Sequence, residues 1–199
     1  MSKFEDIKEL LSNTFHKFPD ILQIELREEF SVTDYKGQSF IIASIDFDDN
    51  TFTIKFKGTE TIVEGFDGNK LFTVSNATRV AFIPIDGKQG LLGFGASHCD
   101  FVFFDDSYFC FVEFKLNATS TEARAIHKNR EEAIKQLTNT ISLFNFKLNR
   151  NYAELILEAY VCTPKFYPRF DSSWQALAIE FVEEYYGIEL FERNYKNCK

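Results

Sequence analysis

Apolar residues recur at two spacings along this 199-residue chain, and the switches between them mark its elements. Phe4, Ile7, Leu10, Leu11 and Phe15 fall three and four apart, which predicts a helix over 3–17 ended by Pro19. Between 21 and 85 the period shortens. IELREEFSV, SFIIASIDF, TFTIKFK, ETIVEGF, KLFTV and RVAFIPI alternate or run apolar, with DFDDNT, KGT, DGN and SNAT between them. That pattern predicts a meander of hairpins. The glycine-rich stretch 87–97 predicts a flexible connection. CDFVFF and YFCFVEFK, joined by a turn at Asp105–Ser107, predict a second hairpin over 100–115. Their unbroken apolar character is that of central strands covered on both faces.

Helical spacing returns at 120–146, where Ile126, Ala133, Leu137, Ile141 and Phe144 form a stripe and Ser120 or Thr121 is a candidate cap. AELILEAYVC predicts a strand over 153–162, and Pro164 and Pro168 mark a loop. A last helix over 172–186 is expected, capped by Ser172, with Trp174, Tyr185 and Tyr186 in the core. Gly187 ends it, and IELFE predicts a short final strand. The order predicts an α/β fold bordering on α+β, with a mixed central sheet flanked by helices and a helical crossover into a parallel strand. We expect a single domain over 1–199: an N-terminal helix (1–20), a β-rich insertion (21–95) and a core (96–199).

Composition changes little. The chain is 45% hydrophobic and 26% charged, as in ordinary globular proteins, and its 24 phenylalanines predict an aromatic core. The charged, amphipathic start predicts no secretory signal, and nothing approaches the roughly 20 uncharged apolar residues of a membrane span. Cys99, Cys110, Cys162 and Cys198 form no CxxC pair, so we expect free thiols in a reducing cytoplasm and no structural zinc. The net charge of −8 opposes non-specific attraction to nucleic acid. Its distribution is uneven. From Phe114 to Arg150, seven basic residues face three acidic ones, so that window is +4 and the remainder −12.

The charges that stand out lie inside the most apolar segment, FCFVEFKLN. Side chains alternate along a strand, so Phe109, Phe111, Glu113 and Lys115 share one face. With the turn at Asp105–Ser107, Asp100 lies near the same open end of the hairpin. Two carboxylates can hold a hard divalent cation such as Mg²⁺ or Mn²⁺, and a lysine beside them can orient an attacking water or stabilise developing phosphoryl charge. Plainer readings exist for each. Glu113 and Lys115 are also what an ion pair at a strand end looks like, and Asp100 could serve only as a strand-start hydrogen-bond acceptor. Gln136 and the basic positions of 120–146 could belong to a solvated helix face. Asp46, Asp48, Asp49 and Asn50, like Asp105 and Asp106, read as turn residues. His16, His98 and His127 show no metal spacing, though His98 is two residues from Asp100.

Asp100, twelve further residues, then Glu113-Phe114-Lys115 resembles the PD-(D/E)xK nuclease superfamily, whose acids end two adjacent strands and whose lysine follows two after the second acid. Many members carry Gln-Leu on the crossover helix, which Gln136-Leu137 matches; some carry an acid on the first helix, for which Glu5 or Glu9 is the candidate. Cys99 stands where the motif has proline, and 21–95 is additional to the motif's elements. The resemblance spans about a third of the chain. It implies a metal-dependent nuclease, DNA being favoured over RNA. Asp100, Glu113 and the Phe114 carbonyl would be metal ligands, Lys115 the catalytic base or water-orienting group, and Gln136 its support. Arg124, Lys128 and Lys135 would meet phosphate. A homodimer or an activating protein partner would fit such an enzyme. The alternatives are an inactive binding module on the same fold, or a toxin or phage-defence effector.

Overall fold

The computed structural model describes residues 2–93, 97–169, 171–185 and 187–198. Among them, four helices and twelve strands in two mixed sheets, 29% helix and 33% strand, form an α/β to α+β fold. The helices are α1 (Lys3–Thr14), α2 (Phe18–Ile21), α3 (Ala123–Leu148) and α4 (Ser172–Glu184). The strands are β1 (Gln23–Glu25), β2 (Phe30–Asp34), β3 (Ser39–Asp46), β4 (Thr51–Phe56), β5 (Thr59–Glu64), β6 (Phe72–Ser75), β7 (Val80–Pro84), β8 (Phe101–Phe104), β9 (Tyr108–Phe114), β10 (Ile156–Cys162), β11 (Ile188–Glu192) and β12 (Tyr195–Asn197). No described helix is long and apolar enough to cross a membrane.

The first sheet runs β1-β7-β8-β9-β10-β11. β1, β7, β8 and β9 pair antiparallel; α3 then crosses to β10, parallel to β9, and α4 crosses to β11, parallel to β10. The second sheet runs β12-β6-β2-β3-β4-β5. The first sheet is thus sandwiched. Phe109 and Phe111 of β9 join Leu137, Ile141 and Phe144 of α3 on one face. Cys110, Val112 and Phe114 join Phe72 and Val74 of the second sheet on the other. A smaller cluster around Phe40, Ile42, Phe52 and Ile54 holds the far half of the second sheet. Burial on both faces is why β8 and β9 carry no polar alternation before Glu113.

Several boundaries differ from the periodicity. Helix α1 stops at Thr14, and Pro19, instead of ending it, sits in the first turn of α2, where its missing N–H costs nothing. IELREEFSV splits at Leu26–Glu29 into β1 and β2, which belong to different sheets. The region 21–85 is not a simple meander: β6 returns beside β2, and β1 and β7 pair into the first sheet with β8. Helix α3 begins one residue after Glu122, which makes no side-chain cap; Ser120 Oγ accepts the Glu122 amide at 3.2 Å. Asp171, not Ser172, caps α4 by accepting the Trp174 amide at 2.9 Å. Trp174 is buried and Tyr185 half-buried; Tyr186 lies outside the described residues. Residues 94–96 of the glycine-rich connection also lie outside them. Its described part is pinned: Leu91 and Leu92 donate to Pro84 O and Ile85 O. A Cβ at Gly90 would stand 2.3 Å from Asp86 O, so only glycine fits there.

Candidate active site

The β8–β9 register pairs Phe101 with Val112 and leaves Asp100 just outside the ladder. The Asp100 amide donates to Val112 O at 3.0 Å, which extends the pairing by one bond. Further along β9, the Phe114 amide bonds a side chain of the β8 end and not its backbone. That side chain is the Asp100 carboxylate, with Oδ2 accepting the Phe114 amide at 2.6 Å. Asp100 therefore does serve as a strand-end acceptor, and that bond fixes its carboxylate beside the end of β9.

Glu113 points to the α3 side, as alternation predicts, and is 1% exposed. Its Oε1 accepts from Lys115 Nζ at 2.7 Å. Lys115 Nζ also donates to Gln136 Oε1 at 2.6 Å, and Gln136 Nε2 donates to His98 O at 3.1 Å. A continuous chain of hydrogen bonds thus runs from β9 across α3 to the segment that enters β8. The second carboxylate oxygen, Glu113 Oε2, is buried and no donor group of another residue reaches it; only a proton shared with the Asp100 carboxyl can link the two acids. Burial, and then repulsion from Asp100, raise the Glu113 carboxyl far above its usual range. Burial raises Asp100 to about 6, against its hydrogen bonds from Phe114 and Glu113. Cys99, at the proline position of the motif, is buried, and its amide donates to Thr140 Oγ1 of α3 at 2.8 Å. The structure therefore brings together Asp100, Glu113, Lys115 and Gln136, with Phe114 between them.

The remaining expected positions divide. Arg124, Lys128 and Lys135 are exposed on α3, with Lys128 Nζ 3.7 Å from Glu132 Oε1. Arg130, counted with them in the basic stretch, is 1% exposed and binds Glu192 and Asp171 instead. Glu5 is held at the other end of the hairpin: it pairs with Lys8 and Arg79, and the neighbouring Phe4 amide bonds Asp106 Oδ1 at 3.0 Å. Four register pairs at roughly 3.3 Å each separate that end from Asp100, so Glu5 does not join the site. Glu9 is exposed on α1. Asp46 accepts the Asp48 and Asp49 amides, and Asp105 those of Ser107 and Tyr108, as turn residues do. Sequence reasoning missed Asp34, whose charge acts on Asp100 from the second sheet. It lies 66 residues earlier in an unremarkable strand, so no local signal points to it.

Among the described residues, no group of three or more His, Cys, Asp or Glu side chains converges as a cation site. The two carboxylates alone fit a cation that keeps most of its waters, as Mg²⁺ does, and the orphaned, buried Oε2 of Glu113 suits that role. No protein-family model, curated protein or solved structure matches the chain.

Proposed function

We propose that this protein is a divalent-cation-dependent phosphodiester hydrolase of the PD-(D/E)xK type, acting on nucleic acid, with DNA favoured. One observation carries the reading: Glu113 buries a carboxylate oxygen that no donor group reaches, against a second acid, Asp100. Leaving a buried polar atom without a partner costs on the order of 1–3 kcal/mol, and a bound cation would remove both that cost and the repulsion. Asp100 and Glu113 would hold Mg²⁺ or Mn²⁺, with the Phe114 carbonyl as a further donor. The cation would supply Lewis-acid polarisation of the phosphoryl group and a more acidic bound water.

The chain's own residues do the rest. Asp100 stays oriented because its other contact is the rigid Phe114 amide. Gln136 holds Lys115 Nζ at the mouth of the site, where the ammonium orients the attacking water and offsets charge growing on phosphorus. The phenylalanine walls exclude water and strengthen these interactions. Arg124, Lys128 and Lys135 meet backbone phosphates, Lys as a point charge and Arg through its planar N–H fork, without base selectivity.

The test is incubation with duplex DNA, single-stranded DNA and RNA in Mg²⁺ or Mn²⁺, beside Glu113→Ala prepared identically. We expect cleavage by the wild type and a loss of at least about 100-fold in the variant. Cleavage that survives in Glu113→Ala would overturn the site; no cleavage of any substrate would move the assignment to a binding module on this fold.

A further inference from the structure

Residues 114–117 separate two openings beside the site. On the α3 side is a groove of about 450 Å³, lined by Lys115, Asn117, Ser120 and Asn129 among others. On the other side a cavity of about 460 Å³ opens between the two sheets, with Asp100 and Phe114 in its wall. Its size lies in the range of small-molecule pockets, roughly 300–1,000 Å³. The facing wall comes from the second sheet and its loops. Ile42, Phe52, Val63 and Leu71 make it apolar, and Tyr35 and Phe66 add aromatic rings. The charged groups are one-sided: Asp34, Glu64, Asp67 and Asp100 against Lys70. Asp34 Oδ1 accepts the Gly37 amide at 3.3 Å, and burial raises its carboxyl above the usual range.

We propose that this cavity receives one unpaired nucleobase carrying an exocyclic amino group, so that the substrate is single-stranded nucleic acid. The inference rests on reading Asp100 and Glu113 as a phosphodiester site. Four carboxylates repel a phosphate, so the phosphate end of a nucleotide stays on the Lys115 side while the uncharged base crosses residues 114–117. A flat base suits the apolar wall, and aromatic rings there offer sequence-tolerant stacking. Ionised carboxylates only accept hydrogen bonds. Cytosine, adenine and guanine present an amino group with two donor hydrogens, whereas an unpaired thymine offers a single N3–H flanked by two carbonyl oxygens that repel the same carboxylates. A base within a duplex is stacked and paired, and reaches such a cavity only after being extruded. Asp100 lies in both the cavity wall and the reactive site, which sets the bound base next to the phosphate to be cut.

The experiment measures binding by fluorescence anisotropy with the full chain in chelator, so that no cleavage occurs. Its probes are oligodeoxycytidylate and oligothymidylate of equal length and a duplex. We expect oligodeoxycytidylate to bind about tenfold tighter than oligothymidylate, and the duplex weakest. Asp34→Asn keeps an acceptor for the Gly37 amide but adds an N–H that can face a thymine carbonyl, so the ratio should move toward one. Equal affinities for the two single strands, duplex binding as tight as single-strand binding, or no binding at all would overturn the proposal. A preference unchanged in a folded Asp34→Asn and in a folded Asp67→Asn would do so too. The wild-type ratio decides the matter if neither variant folds. Cleavage in Mg²⁺ with no base preference removes the base cavity and leaves the hydrolase. A cytosine preference without cleavage keeps the cavity and removes the hydrolase.

Discussion

Asp100 carries two demands in one carboxylate. It completes the β9 ladder through the Phe114 amide, and its charge helps to push up the carboxyl of the neighbouring Glu113. The balance gives a pH dependence with a definite sign. Its folded-state pKa of about 6 lies above the ordinary 3.8. Stability from this group is therefore fully present below about pH 4 and declines as the pH rises through about 6, by on the order of 3 kcal/mol. Asp100→Asn keeps an acceptor for the Phe114 amide and removes the charge. Urea denaturation across that window should show a flatter stability curve for the variant, with stability at pH 7 equal to or above the wild type in the absence of divalent cations. An unchanged slope would mean that Asp100 is not the group under strain. At this scale the sequence was highly legible. Strand alternation puts Glu113 and Lys115 on one face, and turn length puts Asp100 at the same end, because both follow from local geometry. Glu5 misled for the opposite reason. Nothing local to α1 says which end of the hairpin its first turn will reach.

Helix α3 is the element that organises the site, and one of its residues does so from a position where sequence suggested a solvent-facing charge. Arg130 bridges Glu192 of β11 at 2.9 Å through both Nε and Nη2, and Asp171, the α4 cap, at 2.8 and 2.9 Å. It thereby locks α3 to the last strand of the first sheet and to the start of α4, and fixes the helix that carries Gln136. Removing it would leave Glu192, which is fully buried, as an unpaired charge. Arg130→Ala should cost about 3–5 kcal/mol in chemical denaturation, with Arg130→Met losing less because it keeps the packing. Equal stability of Arg130→Ala and wild type would show the network to be dispensable. The helix itself was readable from its apolar stripe. Arg130 was not, since burial of a charged side chain depends on partners 41 and 62 residues away.

The molecule as a whole is a three-layer stack in which the C-terminal strand fastens the layers together. After β11 the chain leaves the first sheet and β12 pairs parallel to β6 of the second. Lys196 of β12 reaches back to Glu158 of β10 at 2.8 Å, both side chains nearly buried. Three of the four free thiols are buried in this stack: Cys99, Cys110 and Cys162. Burial raises all three, and pushes Cys198, half-buried next to β12, up to about 12. None is appreciably a thiolate at pH 8 in the folded state. Labelling with a thiol reagent at that pH should be slow and should accelerate in step with global unfolding. Rapid labelling of Cys110 or Cys198 without loss of structure would indicate that β12 detaches on its own.

Sequence alone determined what short-range geometry can encode. The period of apolar residues assigned most elements, including the hairpin and the crossover through α3, and the alternation along β9 placed its two charges. Tertiary structure decided which strands share a sheet. The meander expected over 21–85 divides between two sheets, and β12, three residues with no apolar alternation, exists because β6 offers it an open edge. It also decided which charges are buried, and it set the acidic cavity of the second sheet against Asp100. The physical reason is the same in each case. Periodicity records which face of an element is apolar, whereas strand partners and buried charges depend on groups far apart in sequence, which meet only when the layers close.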